Sequence, residues 1–166
     1  MDEFVSRPVV TLFPDQSKRS LRLPIEETPD VTWEQNPRQW ASVNEFGARG
    51  DGFADDTAAI QRAMNSGRRV IYFQPGSYLI NGSINVPGSV RRIDFMYGDL
   101  VAGPDLQQME NAGAFRILDG DKPLFIENLY AFELYFGAHY LVDHASRRTL
   151  VLRDLHTQVG AMYRNS

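Results

Sequence analysis

The chain has 166 residues, 43% of them apolar and 23% charged, with 17 basic against 21 acidic side chains and a net charge of −4. That is one ordinary globular domain, neither disordered nor basic enough to point to nucleic acid. With no cysteine, disulfide scaffolds, thiol catalysis and thiolate zinc sites are excluded, and no apolar run is long enough to span a bilayer.

The opening MDEFVSRP lacks an apolar h-region, so no signal peptide is expected within this chain. Residues 1–40 hold five of the nine prolines, and no glycine precedes Gly47. Proline fixes φ and removes a donor, so this stretch is expected to be an extended arm, with only Val9–Phe13 able to pair as a strand. Trp33 and Trp40 are read as packing anchors, with a sugar-stacking platform as the alternative.

From Ala41 the texture changes to short apolar runs punctuated by glycine. The spacing of Ala59, Ile60, Ala63 and Met64 predicts a helix over Asp55–Ser66. Asp55 or Asp56 is placed to accept from its first amides, and Gly67 to end it. No helix is expected after Gly67. Strands are expected at 70–73, 77–80, 83–86, 92–96, 114–118, 124–129, 132–136, 139–142 and 149–155. One amphipathic helix followed by many short strands is the pattern of an all-β domain.

Two segments look like copies of one unit. LFIENLY (Leu124–Tyr130) and LVLRDLH (Leu150–His156) align without a gap, 26 residues apart. Alternation puts Leu124, Ile126, Leu150 and Leu152 inward, while Asn128 and Asp154 suit a bend because both tolerate the left-handed region. A repeat of one turn of chain per copy reads as a β-solenoid. Stacking would bring Glu127 and Arg153 together on the surface of adjacent rungs, a pair worth roughly 0.2–1 kcal/mol.

The segment Val43–Ile80, VNEFGARGDGFADDTAAIQRAMNSGRRVIYFQPGSYLI, resembles the opening of the pectate lyase superfamily. The ordered features are Phe-Gly-Ala, Gly-Asp-Gly, Asp-Asp-Thr-x-Ala-Ile-Gln, an apolar strand and Pro-Gly-x-Tyr. That superfamily includes pectate-lyase-like and polygalacturonase-like proteins, fungal-type exo-β-1,3-glucanases and many phage tailspikes. LRLPIEETPD, just before, looks like arms found in bacterial relatives. The resemblance implies an all-β, right-handed parallel β-helix with an N-terminal capping α-helix: an arm over 1–40, then coils over 41–166. It assigns Asp55 and Asp56 a structural role. Open solenoid ends need a cap, which the helix would supply.

The resemblance further implies a secreted, extracellular or periplasmic carbohydrate-active protein, its parent a glycoside hydrolase or polysaccharide lyase. A glycan-binding module of tailspike or adhesin type, trimeric in the tailspike case, is the alternative. Its partner is then a polysaccharide or surface glycan, with no nucleic acid or membrane. No cofactor or metal is expected, since His139, His144 and His156 lack ligand spacing. Glycosidic cleavage needs two carboxylates roughly 5–9.5 Å apart. Asp119 and Asp143, with His144 nearby, are the best candidates, being 24 residues apart and so on neighbouring coils. Their surroundings also have turn composition, and that reading is favoured. The paired Asp-Asp, Gly-His-Gly and Arg-Ile-Lys motifs of polygalacturonase-like relatives are absent after the helix, so this chain alone is expected to be inactive. Residues 69–166 leave room for just under four coils, roughly 20 Å of stack, which reads as the N-terminal part of a longer protein.

Overall fold

A computed structural model of the chain describes residues 30, 33–109, 112–132 and 140–158. Two units are distinguished, Met1–Val31 and Thr32–Ser166, and the elements of the described residues lie in the second. The expected strand at Val9–Phe13 and most of that at Phe132–Phe136 lie outside the described residues.

The strands form a three-sided parallel stack. The first side runs through Trp40–Ser42 (β1), Val70–Tyr72 (β3), Arg92–Asp94 (β6), Leu124–Phe132 (β9) and Leu150–Gln158 (β11), each parallel to the next. The second runs through Asp51–Asp55 (β2), Ser77–Ile80 (β4), Asp99–Ala102 (β7) and the rear half of β9. The third stacks Ile84–Val86 (β5), Gly113–Ile117 (β8) and Tyr140–Asp143 (β10). This is the expected parallel β-helix. β9 and β11 are long enough to serve two sides because each bends at one left-handed residue, Asn128 (φ 58°) and Asp154 (φ 51°), the two positions the repeat singles out.

Alternation along the rungs builds the core. Ala41, Ile71, Ile93 and Ile126 form one inward column at 0–1% exposure. Inside the first two corners, Phe73 stacks on Phe95 at 4.1 Å between ring centroids, with Tyr78 and Phe115 meeting them edge-on at 5.0 and 5.9 Å. At the third corner the buried Arg148 guanidinium donates to the carbonyls of Val90, Lys122 and Pro123, tying three successive turns together. Each of those carbonyls would otherwise lack a partner in a loop.

The helix Thr57–Met64 (α1) takes the place of a strand in the first coil. β5 presents a free edge there, which a solenoid cannot leave open. The Gln61 side chain closes it like a peptide group: its Oε1 accepts from Asn85 N at 2.8 Å and its Nε2 donates to Asn85 O at 3.0 Å. Ala59, Ile60, Ala63 and Met64 turn into the core, as their spacing requires.

Helix α1 is shorter than its apolar spacing suggests, because Asp55 remains extended and pairs with Leu79. Its start also differs from the simple capping expectation. Asp56 occupies the cap position but makes no capping bond; its buried carboxylate reaches back to accept from Arg49 N (2.7 Å) and Gly50 N (3.0 Å). Asp55 instead accepts from Thr57 N at 2.9 Å and from the Thr57 hydroxyl. Gly50 carries φ +62° and a Cβ there would sit 2.8 Å from the Tyr78 ring, so the turn that Asp56 ties down admits only glycine.

A second short helix, Pro104–Gln108 (α2), follows β7, where no helix is expected from the sequence. Proline at its start and the buried Leu106 explain it locally, but one apolar residue in five gives no periodicity to read. The strand over Asp99–Ala102 is likewise not expected from the sequence; its apolar run Leu100-Val101-Ala102 is only three residues long, and Leu100 and Ala102 of it are buried.

Candidate functional site

The residues proposed for chemistry from the sequence lie at one end of the third side. Asp143 closes β10 opposite Arg116 of β8, and the two side chains pair at 3.6 Å. Asp119, two residues beyond β8, accepts from Arg147 N at 3.0 Å. His144 follows Asp143 and is exposed. The near-period spacing thus does bring Asp119 and Asp143 to neighbouring coils, but each carboxylate holds its own turn or strand partner. Among the described residues no three His, Asp or Glu side chains converge as a metal-binding group; His139 lies outside them.

The structure forms a cleft elsewhere. On the outer surface of the first side, Trp40 of β1 and Tyr72 of β3 point away from the core with their rings 6.1 Å apart and inclined at 60°. With Glu34, Gln35, Pro37 and Glu45 they line a shallow, open depression of about 420 Å³. Its Glu34 side is held by the chain's own bonds. Trp40 Nε1 donates to Glu34 O at 2.9 Å, Asn36 N to Glu34 Oε1 at 3.1 Å, and Arg69 Nη1 pairs with Glu34 Oε2 at 3.1 Å. The Asn36 amide, then Arg69, hold the Glu34 carboxyl below its ordinary range against the opposing effect of desolvation. It is therefore ionised at neutral pH. Two aromatic rings beside hydrogen-bonding carboxylates and an amide suit a polyhydroxylated ring, with C–H faces to stack and hydroxyls to donate.

Sequence reasoning singled out Trp33 and Trp40 but not Glu34, Glu45 or Tyr72. Tyr72 could be read as outward from the alternation Val70-Ile71-Tyr72. Glu34 lies in an irregular segment before β1 and Glu45 in a short 3₁₀ turn after it, where no periodicity marks them. Trp33 lies over the Arg92 guanidinium, 3.8 Å from ring centroid to carbon, a packing contact as expected.

Beyond the cleft, the repeat places Glu127 between two guanidiniums. Arg153 approaches at 3.2 Å, as the rung register implies, and Arg92 at 3.4 Å from the preceding rung. The expectation of an exposed pair needs correcting here. The Glu127 side chain is only 7% exposed and Arg92 only 4%, because Arg92 is itself covered by Trp33. Glu127 and Arg92 are thus buried, while Arg153 closes the group from the surface at 46% exposure.

Comparison with known proteins gives these likenesses. A family model described as "Rhamnogalacturonase A/epimerase, pectate lyase-like" matches residues 40–148. A "Non-secreted LysM effector LysM15" of Penicillium expansum is 41% identical over 58 residues, 27% of this chain and 4% of that protein. A "Probable glucan endo-1,3-beta-glucosidase" of Arthroderma benhamiae is 36% identical over 76 residues, 44% of this chain and 9% of that one. A crystal structure from Parabacteroides merdae, its glycosyl hydrolase assignment provisional, superposes with a TM-score of 0.49 at 19% identity, covering 74% of this chain and 76% of its own. The chain spans less than a tenth of the length of the two curated relatives, both of them fungal.

Proposed function

Because this chain belongs to the rhamnogalacturonase A/epimerase, pectate lyase-like family, we propose that it forms the opening coils of a secreted protein that degrades polysaccharide as a glycoside hydrolase or lyase. The match over residues 40–148 carries this reading, since it spans the coils from β1 past β10. The partners of the two aspartates support a division of labour. Asp119 and Asp143 are engaged with Arg147 and Arg116, so these coils supply a closed start and a sugar-contacting cleft, and not the bond-breaking pair. The names of the family and of the Arthroderma relative point to pectic and β-1,3-glucan backbones respectively.

The test is release of reducing ends or unsaturated products from β-1,3-glucan, polygalacturonan and rhamnogalacturonan, by the natural-length protein and by this chain. Turnover by the former and none by the latter is expected. No turnover of any of the three by the natural-length protein would overturn the reading, and turnover by this chain alone would restore Asp119, Asp143 and His144 as catalytic candidates.

A further inference from the structure

A second aromatic row lies outside the stack, away from the cleft. Tyr97 sits at the corner between β6 and β7, Tyr130 on β9 in register with Asp99, and His156 on β11 in register with Tyr130. Their rings follow one another along the solenoid axis, 6.3 Å from Tyr97 to Tyr130 and 5.3 Å from Tyr130 to His156. Tyr97 is 66% exposed, Tyr130 36%, and His156 is exposed as well.

The backbone beneath Tyr97 is unusual. Met96 and Tyr97 both take the left-handed conformation, at φ 46° and 63°. For a bulky residue that region costs about 1–2 kcal/mol, and such outliers gather where function demands them. Register fixes the ends of this corner: Asp94 stands opposite Glu127, and Asp99 opposite Tyr130. The third coil therefore spends two more residues here than the fourth, and Tyr97 N donates to Asn128 O at 3.1 Å to hold the extra loop. Glycine would make the same turn without strain. A tyrosine two-thirds exposed recovers little by packing.

We propose that Tyr97, Tyr130 and His156 form a stacking platform for a neutral polysaccharide chain running along the solenoid axis. The proposal rests on the carbohydrate-active reading above and adds to it a second contact surface and a direction for the sugar chain. Successive rungs rise about 4.8 Å, comparable to one sugar unit of an extended chain, so successive rings meet successive C–H faces. The charge around the row selects the class of sugar. Asp99 lies in register with Tyr130, and the exposed Asp154 lies two residues before His156. Asp99 already accepts from the Ser77 hydroxyl at 3.1 Å on one oxygen, leaving its other oxygen and Asp154 to take sugar hydroxyls, and the negative charge of both disfavours a uronate carboxylate. The neighbouring cation, Arg153, is turned to Glu127.

The experiment is calorimetric titration of the full 166-residue chain with a β-1,4-linked glucohexaose, a neutral extended chain, and, separately, with hexagalacturonate. The neutral hexasaccharide should bind the more tightly. Tyr97→Gly and Tyr130→Ala should each weaken that binding about three- to tenfold, the range that ring contacts of this kind supply. Tyr97→Phe should retain it, and Tyr97→Gly should melt no lower than the parent. Binding unchanged in both Tyr97→Gly and Tyr130→Ala but lost in Trp40→Ala would overturn the platform while leaving the carbohydrate reading in place. Equal or tighter binding of hexagalacturonate would overturn its neutral specificity. If neither saccharide binds the chain the platform is also overturned, and product release by the natural-length protein then decides the broader reading independently.

Discussion

The first coil and the β9–β11 ladder both join strands around an apolar axis, by different means. In the first coil nothing repeats. A helix stands in for a strand, the Gln61 amide substitutes for a peptide group, and a buried aspartate ties the Gly50 turn. In β9 and β11 almost everything repeats: eight residue pairs lie in register, each strand bends at its fifth residue, and charges interlock between rungs. A solenoid's start is therefore specified by individual side chains and its continuation by pattern. Substitutions should be correspondingly local at the start and cooperative along the ladder.

The largest expected effect is on the ladder. Glu127→Lys would place a third cation between Arg92 and Arg153, breaking a buried pair at a cost of about 3–5 kcal/mol, read as loss of stability in denaturant unfolding. At the start, Asp56→Ala leaves the Arg49 and Gly50 amides without acceptors and should cost about 2–3 kcal/mol. Asp154→Val, at an exposed left-handed position, should cost about 1–2 kcal/mol, whereas Asp154→Gly should be close to neutral.

Acid should distinguish the two regions in the same direction. Asp51 is held below its ordinary range by the amides of Ala54 and Phe53. In Asp55, burial raises the pKa but the Thr57 hydroxyl and amide outweigh it, so it too is lowered. Carboxyls with depressed folded values stabilise fully above their unfolded pKa, near about 3.9, and lose that contribution as pH falls through the folded ones. The melting temperature should therefore fall below about pH 4, and Asp55→Asn should flatten that fall. The smallest effect is Arg153→Ala. That arginine is 46% exposed, and its loss should cost under about 1 kcal/mol, because Arg92 still faces Glu127.

The same contrast explains what was legible in the sequence. The gapless match of Leu124–Tyr130 with Leu150–His156 carries the register, the bends at Asn128 and Asp154, and the pairing of Glu127 with Arg153. The burial of Glu127 was hidden, because it depends on Arg92 and Trp33, which belong to no repeat. The rungs are also uneven: Trp40, Val70, Arg92, Phe125 and Val151 stack at offsets of 30, 22, 33 and 26 residues, so a single period could not locate β7 or α2. At the start, composition and the ordered glycine and aspartate motif mark a cap, yet the partners of Asp56 and Gln61 lie across the chain. The cleft was least legible, since Glu34, Trp40 and Tyr72 converge only when the first two coils are stacked.

Amide exchange at Asn85 tests most directly whether a side chain completes the opening rung in place of a strand. Gln61→Ala should speed exchange of the Asn85 amide well beyond any change at Ile93 or Ile126, which lie deep in the stack. An Asn85 amide as protected in that variant as in the parent, or a uniform rise across all three, would contradict the account.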